Sequence, residues 1–306
     1  MAEPFVLPET AAVLAGLAAQ GGPHLADMSA ADMRATYLQL GALFDAQPEA
    51  GVRTSDFTGA GCRLRAYFPD KAEAGPVILY LHGGGWVIGD LDTHNPLCTL
   101  IAAVTGLRVV AVDYRLAPEH PFPAAHDDCL AAARFVAGSP PELEAPVTGL
   151  AVAGDSAGGT LAVHVAREMS GILAQLLIYP LVDCTSPEHG SYRYFAEGYV
   201  LDRKLMDRFI ADYLPGKDDT KGVAASPVLH TLSSDLPPTV VVTAGLDPLR
   251  DQGRALAAGI AALGVETHLI EARGLIHGMA TMRGAFPTAD GIIRRAVKLF
   301  GDTIRS

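Results

Sequence analysis

The chain turns on ten residues, Leu150-Ala151-Val152-Ala153-Gly154-Asp155-Ser156-Ala157-Gly158-Gly159. An apolar run of strand type enters a Gly-x-Ser-x-Gly sequence, and a helix-forming run from Leu161 to Met169 follows at once. A strand that turns this sharply into a helix holds its corner residue in a strained backbone conformation. Small residues at 154 and 158 are needed so that nothing collides with that corner. The Ser156 side chain then stands alone above a sheet, at a helix N-terminus. The helix dipole favours developing negative charge there, and the N–H of Ala157 can point at an oxyanion. The same glycines alone could make only a tight turn, so their meaning depends on the rest of the chain.

Around this corner, apolar strands alternate with helices. Pro76–Leu81, Leu107–Val112, the run into Ala153, Gln175–Tyr179, Thr239–Thr243 and Thr267–Glu271 read as strands. His126–Val136, Gln252–Leu263 and Ala289–Phe300 read as helices. Such alternation predicts a mostly parallel sheet with helices on both faces. Val52–Phe57 and Cys62–Phe68, joined through Gly59-Ala60-Gly61, predict a β-hairpin ahead of it. Residues 1–50 read as helical, with Ser29-Ala30-Ala31-Asp32 as a capping box and Met33, Tyr37, Leu40 and Phe44 at helical spacing. Residues 184–225 interrupt the alternation. They carry an amphipathic helix capped by Asp202, with Leu205, Met206, Phe209, Ile210 and Tyr213 on its stripe. The expected organisation is a core in two parts, 51–183 and 226–306. Residues 1–50 and 184–225 are expected to form a helical cap over the strand ends, where ligands bind in such sheets.

Composition removes several classes of function. With 306 residues, 49% of them hydrophobic, the chain can bury a large core. Its net charge of −11 argues against nucleic acid as a partner. No run of about 18 apolar residues occurs, so no membrane span is expected. The N-terminus lacks the basic and apolar regions of a secretory signal. Cys62, Cys98, Cys129 and Cys184 are widely spaced and form no CxxC, which points to a reduced, cytoplasmic protein with structural thiols.

A serine hydroxyl becomes a nucleophile when a base, oriented by a carboxylate, takes its proton. Of ten histidines, His277 lies in Gly274-Leu275-Ile276-His277-Gly278, just after the last strand, and completes the order Ser…Asp…His. His268 lies inside a strand and reads as packed. His82, His94, His120 and His126, near the glycine loop or before a helix, read as structural hydrogen-bonding groups. His24, His164, His189 and His230 have no motif around them. Two carboxylates remain open as the orienting acid. Asp247 follows strand 239–243, where it also fits a helix start beside Pro248; Asp183 follows the strand ending at Tyr179. Asp251 reads as a capping or salt-bridge residue. His82-Gly83-Gly84-Gly85-Trp86 is not followed by a dinucleotide or Walker pattern. Its glycines let the backbone approach a ligand and offer N–H groups to it, as in HGGG-type oxyanion loops.

From about residue 76 to its C-terminus the chain resembles the hormone-sensitive-lipase-like α/β-hydrolases, the bacterial family IV esterases. The resemblance rests on HGGGW (82–86), DYRLAPEHPFP (113–123), GDSAGG (154–159), DPLRD (247–251) and IHG (276–278), in that order. It implies an α/β-hydrolase fold and a serine carboxylesterase acting through an acyl-enzyme on short- to medium-chain esters, roughly C2 to C8. It implies Ser156 as nucleophile, His277 as base and Asp247, in preference to Asp183, as acid. The implied oxyanion hole is made by the N–H groups of Gly84, Gly85 and Ala157, with Gly83 shaping the turn. Neither a cofactor nor a metal is implied. The expected partner is a small-molecule ester, and a homodimer is a candidate assembly. Acceptance of tertiary alcohols is implied as well, unless Trp86 or a cap residue fills the space beside the glycines. Three positions depart from the family pattern: Thr160 where asparagine is frequent, Arg273 where tyrosine is frequent and Met279 where phenylalanine is usual. They bear on the shape of the pocket and the groups behind it. Two other readings are a non-catalytic ligand receptor of the same family, against which the intact His277 argues, and a peptidase of the same fold, for which no peptide anchor is visible.

Overall fold

Eight strands form one sheet among the described residues, which are 4–69, 73–185, 190–216 and 219–306 of a computed structural model. They are β1 (Val52–Gly59), β2 (Cys62–Pro69), β3 (Gly75–Leu81), β4 (Arg108–Asp113), β5 (Val147–Asp155), β6 (Ile172–Ile178), β7 (Thr239–Leu246) and β8 (Thr267–Ile276). The order across the sheet is β1-β2-β4-β3-β5-β6-β7-β8. β1 and β2 pair antiparallel, as do β2 and β4, and every other pairing is parallel. The β1–β2 connection is the expected tight turn, with Ala60 and Gly61 both at positive φ, 54° and 84°.

The helices are α1 (Pro8–Gln20), α2 (Ala30–Phe44), α3 (Asn95–Thr105), α4 (Ala124–Ala137), α5 (Ala157–Glu168), α6 (Gly190–Tyr194), α7 (Arg203–Tyr213), α8 (Arg250–Ala262) and α9 (Pro287–Arg305). Successive strand residues face opposite sides. Val77, Leu79 and Leu81 of β3 therefore join an apolar layer with α4, α5 and α8, while Ile78 and Tyr80 join one with α3 and α9. All eight positions of β7 are buried, as a strand covered on both faces requires.

Two local expectations are met atom by atom. Ser29 Oγ accepts the N–H of Asp32 at the start of α2, and Asp202 Oδ1 accepts that of Leu205 at the start of α7. Two others need correction. No helix is legible between β3 and β4, yet α3 is there. Leu97 to Ala102 are all buried, so the segment has no polar face to give it a helical period. His268 does lie in a strand but is not packed. β8 is the sheet edge, and the imidazole is 39% exposed beside Glu266, 2.9 Å away. His189 lies outside the described residues.

Candidate active site

Ser156 occupies the corner between β5 and α5 with φ 53° and ψ −122°, the strained conformation the motif predicts. Its N–H donates to the carbonyl of Ile178 at 2.9 Å, and its own carbonyl accepts the N–H groups of Gly159 and Leu181. The glycines are required by space. A Cβ on Gly154 would run into the carbonyl of Gly158, and one on Gly158 into that of Leu81.

The ends of β7 and β8 bring two side chains to this corner. His277 Nε2 lies 2.9 Å from Ser156 Oγ, and His277 Nδ1 lies 2.8 Å from Asp247 Oδ2. Asp247 is fully buried, and its other oxygen accepts the N–H of Leu249 at 2.8 Å. A carboxylate at Nδ1 places the imidazole lone pair at Nε2, toward the hydroxyl. Asp183 is spent elsewhere: its Oδ1 accepts the N–H of Thr185 at 2.9 Å and the hydroxyl at 2.6 Å. Asp251 pairs with Arg250 and Arg254 and accepts the N–H of Ser191. Tyr179 had no signal in the sequence. Its ring lies 4.5 Å from that of His277, and its oxygen accepts the N–H of Ala280 at 3.3 Å.

The glycine loop is held by its flanks. His82 Nδ1 donates to the carbonyl of Gly83 at 2.8 Å. That carbonyl belongs to the peptide that carries the Gly84 N–H, and a planar peptide oriented at one end is oriented at the other. Tyr114 stacks on His82, 4.1 Å between centroids, and donates to its carbonyl at 2.7 Å. Burial, with His94 nearby, pushes the His82 imidazole down to about 4, so it stays neutral. Gly84 and Gly85 have φ of +114° and +60°; a Cβ on the first would strike the carbonyl of Ile88, and on the second the ring of Phe209. The N–H groups of Gly84, Gly85 and Ala157 donate to no protein acceptor among the described residues. Trp86 turns away, fully buried and stacked 4.5 Å from Tyr213.

A pocket of about 100 Å³ opens onto Ser156. Its walls come from α1 and α2 (Leu17, Leu40, Phe44) and from α7 (Leu205, Met206, Phe209), with Gly84, Gly85 and His277 on the floor. The segments meet through paired groups. Arg34 Nε donates to the carbonyl of Val87 at 2.8 Å and Nη2 to that of Ala117 at 2.9 Å. Arg208 Nη1 donates to the carbonyls of Ala26 and Met28, and His24 Nε2 contacts Asp202 at 2.8 Å. The three departures from the family pattern leave the pocket floor untouched. The Thr160 hydroxyl donates to the carbonyl of Leu181, Met279 is buried in the α3–α9 layer, and Arg273 is exposed over the Phe5 ring at 5.5 Å. His126 bonds Tyr213 and the carbonyl of Ala224, and His230 bonds that of Lys221. His164 packs edge-on to His126, and His120 is exposed.

Residues 78–281 match the sequence profile of the alpha/beta hydrolase fold family. The chain is 43% identical over 238 residues to Esterase LipI of Mycobacterium tuberculosis, covering 75% of this chain and 73% of that one. It is 37% identical over 236 residues to Ethyl acetate hydrolase of Pseudomonas putida, covering 74% of each. Among solved structures it is similar to a thermostable esterase from Pseudomonas putida ECU1011, with a TM-score of 0.90, 31% identity and coverage of 98% and 99%. An alpha/beta hydrolase enzyme from the metagenome of Lake Arreo gives a TM-score of 0.92 at 36% identity, with 99% of each chain covered. With its Gly-x-Ser-x-Gly corner at the strand-to-helix turn, and a fold similar over nearly its whole length to such enzymes, the chain belongs to the hormone-sensitive-lipase-like carboxylesterase family of the α/β-hydrolase fold.

Proposed function

We propose that Ser156, His277 and Asp247 carry out ester hydrolysis through an acyl-enzyme. The observation that carries this is the unbroken contact chain from Asp247 through His277 to Ser156, 2.8 and 2.9 Å, opening on an apolar pocket. His277 Nε2 takes the hydroxyl proton as Oγ bonds to the ester carbonyl carbon. The carbonyl oxygen becomes an oxyanion facing the N–H groups of Gly84, Gly85 and Ala157. The C–O bond to the alcohol then breaks and the alcohol leaves with the proton from His277. Water, deprotonated by the same nitrogen, releases the acid and regenerates Ser156. Asp247 holds the imidazole in the working tautomer and balances the imidazolium.

The substrate is a neutral ester with a short to medium acyl chain, because the pocket is small and almost wholly apolar. Residues 1–50 and 184–225 act as one cap that sets this selectivity. A cytoplasmic location fits four unpaired, buried cysteines. A homodimer fits the outer edge of β8, where Leu269 is exposed. Hydrolysis of nitrophenyl butyrate by the wild type and by Ser156→Ala tests the reading. Loss of the nucleophile is expected to lower turnover on the order of 10⁶-fold, and wild-type turnover in the variant would overturn it.

A further inference from the structure

The carboxylate of Asp155 is an awkward neighbour for this chemistry. It belongs to the residue before the nucleophile, it is buried, and it grips the loop whose N–H groups are to receive negative charge. Three groups meet its Oδ1: the N–H of Gly83 at 2.8 Å, the hydroxyl of Tyr80 at 2.7 Å and Nε2 of His94 at 3.2 Å. Burial works to raise this carboxyl, but His94, Tyr80 and the Gly83 N–H together hold it below the usual carboxylate range, so it is ionised.

His94 is itself buried, at the residue preceding α3. Its Nδ1 lies 2.9 Å from Thr93 Oγ1. That hydroxyl accepts the N–H of Asp90 at 2.9 Å and gives its single proton to the carbonyl of Asp90 at 3.0 Å. What it has left for His94 is a lone pair, so Nδ1 is the donor there. Nε2 faces a carboxylate. It makes no hydrogen bond there, but a bare lone pair would face the negative oxygen at 3.2 Å, so the arrangement favours a proton on each ring nitrogen.

We propose that His94 is a positioning residue for the oxyanion loop: as the cation opposite Asp155, it lets a carboxylate pin Gly83 without leaving net negative charge beside the developing oxyanion. The inference rests on the esterase reading above. An unbalanced carboxylate in a water-poor site opposes the charge that forms in the transition state. The two residues should therefore be coupled with a definite sign, because removing His94 exposes a charge and then neutralising Asp155 removes it again.

The test compares His94→Gln, Asp155→Asn and the double variant on nitrophenyl butyrate, with kcat expressed per site titrated by a phosphonate ester. Glutamine keeps a donor but not the charge. His94→Gln is expected to lower kcat roughly 10²-fold with KM nearly unchanged. Adding Asp155→Asn should recover about 10-fold of that loss, a non-additivity that mere loosening of the structure would not produce. Tyr80→Phe, which removes a neutral donor, should cost less than His94→Gln and gain nothing from Asp155→Asn. If His94→Gln does not fold, Asp155→Asn alone decides: it should keep kcat within about 10-fold of the wild type, and a larger fall would overturn the proposal. Additive losses, or an unchanged kcat per titrated site in His94→Gln, would overturn it too. A wild type that hydrolyses no ester would bring down the esterase reading instead.

Discussion

The ring of Phe209 lies so close over Gly85 that a Cβ at position 85 would fall against its Cγ and Cδ2 atoms. With φ at +60°, Gly85 has a conformation that strains other residues, and the space is closed to a side chain as well. Gly85→Ala should therefore displace an oxyanion donor and lower kcat by roughly 10² or more, with a smaller change in KM. Wild-type kcat in that variant would remove Gly85 from the oxyanion hole.

The same contact bears on the alcohol. Trp86 has left the space beside the glycines, and Phe209 bounds it. Cleavage of tert-butyl acetate is expected, more slowly than of n-butyl acetate, with Ser156→Ala as blank. Phe209→Ala should raise the tertiary-to-linear ratio by roughly 10-fold. No tertiary cleavage by either protein would show that the loop does not open this side.

The choice of acid is decided by kinetics of two matched variants. Asp247→Asn should lower kcat by roughly 10⁴, through the wrong tautomer and an unbalanced imidazolium. Asp183→Asn should alter it far less, since among the described residues that carboxylate bonds Thr185 rather than His277. The reverse ranking would move the acid to the strand before the insertion.

Selectivity is expected to follow the cap. Butyrate esters should be hydrolysed faster than palmitate esters by a pocket of about 100 Å³. Arg34 fastens α2 to the glycine loop through the carbonyls of Val87 and Ala117 while gripping Glu119, whose carboxyl it holds down at about 2. Arg34→Ala should raise KM several-fold and flatten the chain-length profile, and Arg34→Lys should not restore it, because lysine lacks the fork. An unchanged profile would mean that the clamp does not shape the pocket.

Acid sensitivity follows from two buried imidazoles. Burial is the main cause that lowers His82 to about 4 and His126 to about 3. Unfolding frees them to take up protons near their ordinary value, so between that value and the folded one the unfolded state holds more protons. Stability then rises with pH across this window and is lost as pH falls from about 6.5 toward 3, on the order of 3 kcal/mol for His82 and about 5 kcal/mol for His126. His126→Gln should flatten the slope of unfolding free energy between pH 6 and 4 by about one proton. An unaltered slope in denaturant titrations would show that His126 is not the group responsible.

Much of this was legible because the chemistry imposes it on the chain. Gly154 and Gly158 must be small to let Ser156 turn, and His277 must follow a strand to reach it, so their positions carry the signal; position left Asp247 and Asp183 both open, and the family resemblance chose between them. What was not legible depends on distant partners. α3 is buried along most of its length and has no polar face. His94 reads as an ordinary hydrogen-bonding residue until Asp155, far away in sequence, is seen beside it. Phe209 reads as one member of an amphipathic stripe, and only the packing of α7 shows that it touches the glycine loop. Tyr179 ends a strand like any other buried aromatic residue.

The walls of the pocket and their moorings are separated in synthesis as well as in sequence. α1 and α2 are made before every strand of the sheet, yet Leu7 and Thr10 bond to Gly274, and Ala285 bonds to Phe44. On a growing chain, the apolar face that walls the pocket must wait for β8 and the residues just after it before it can dock. A ribosome-bound fragment ending before Gly274 would carry Ser156 and the glycine loop but lack both His277 and the latch for α1 and α2.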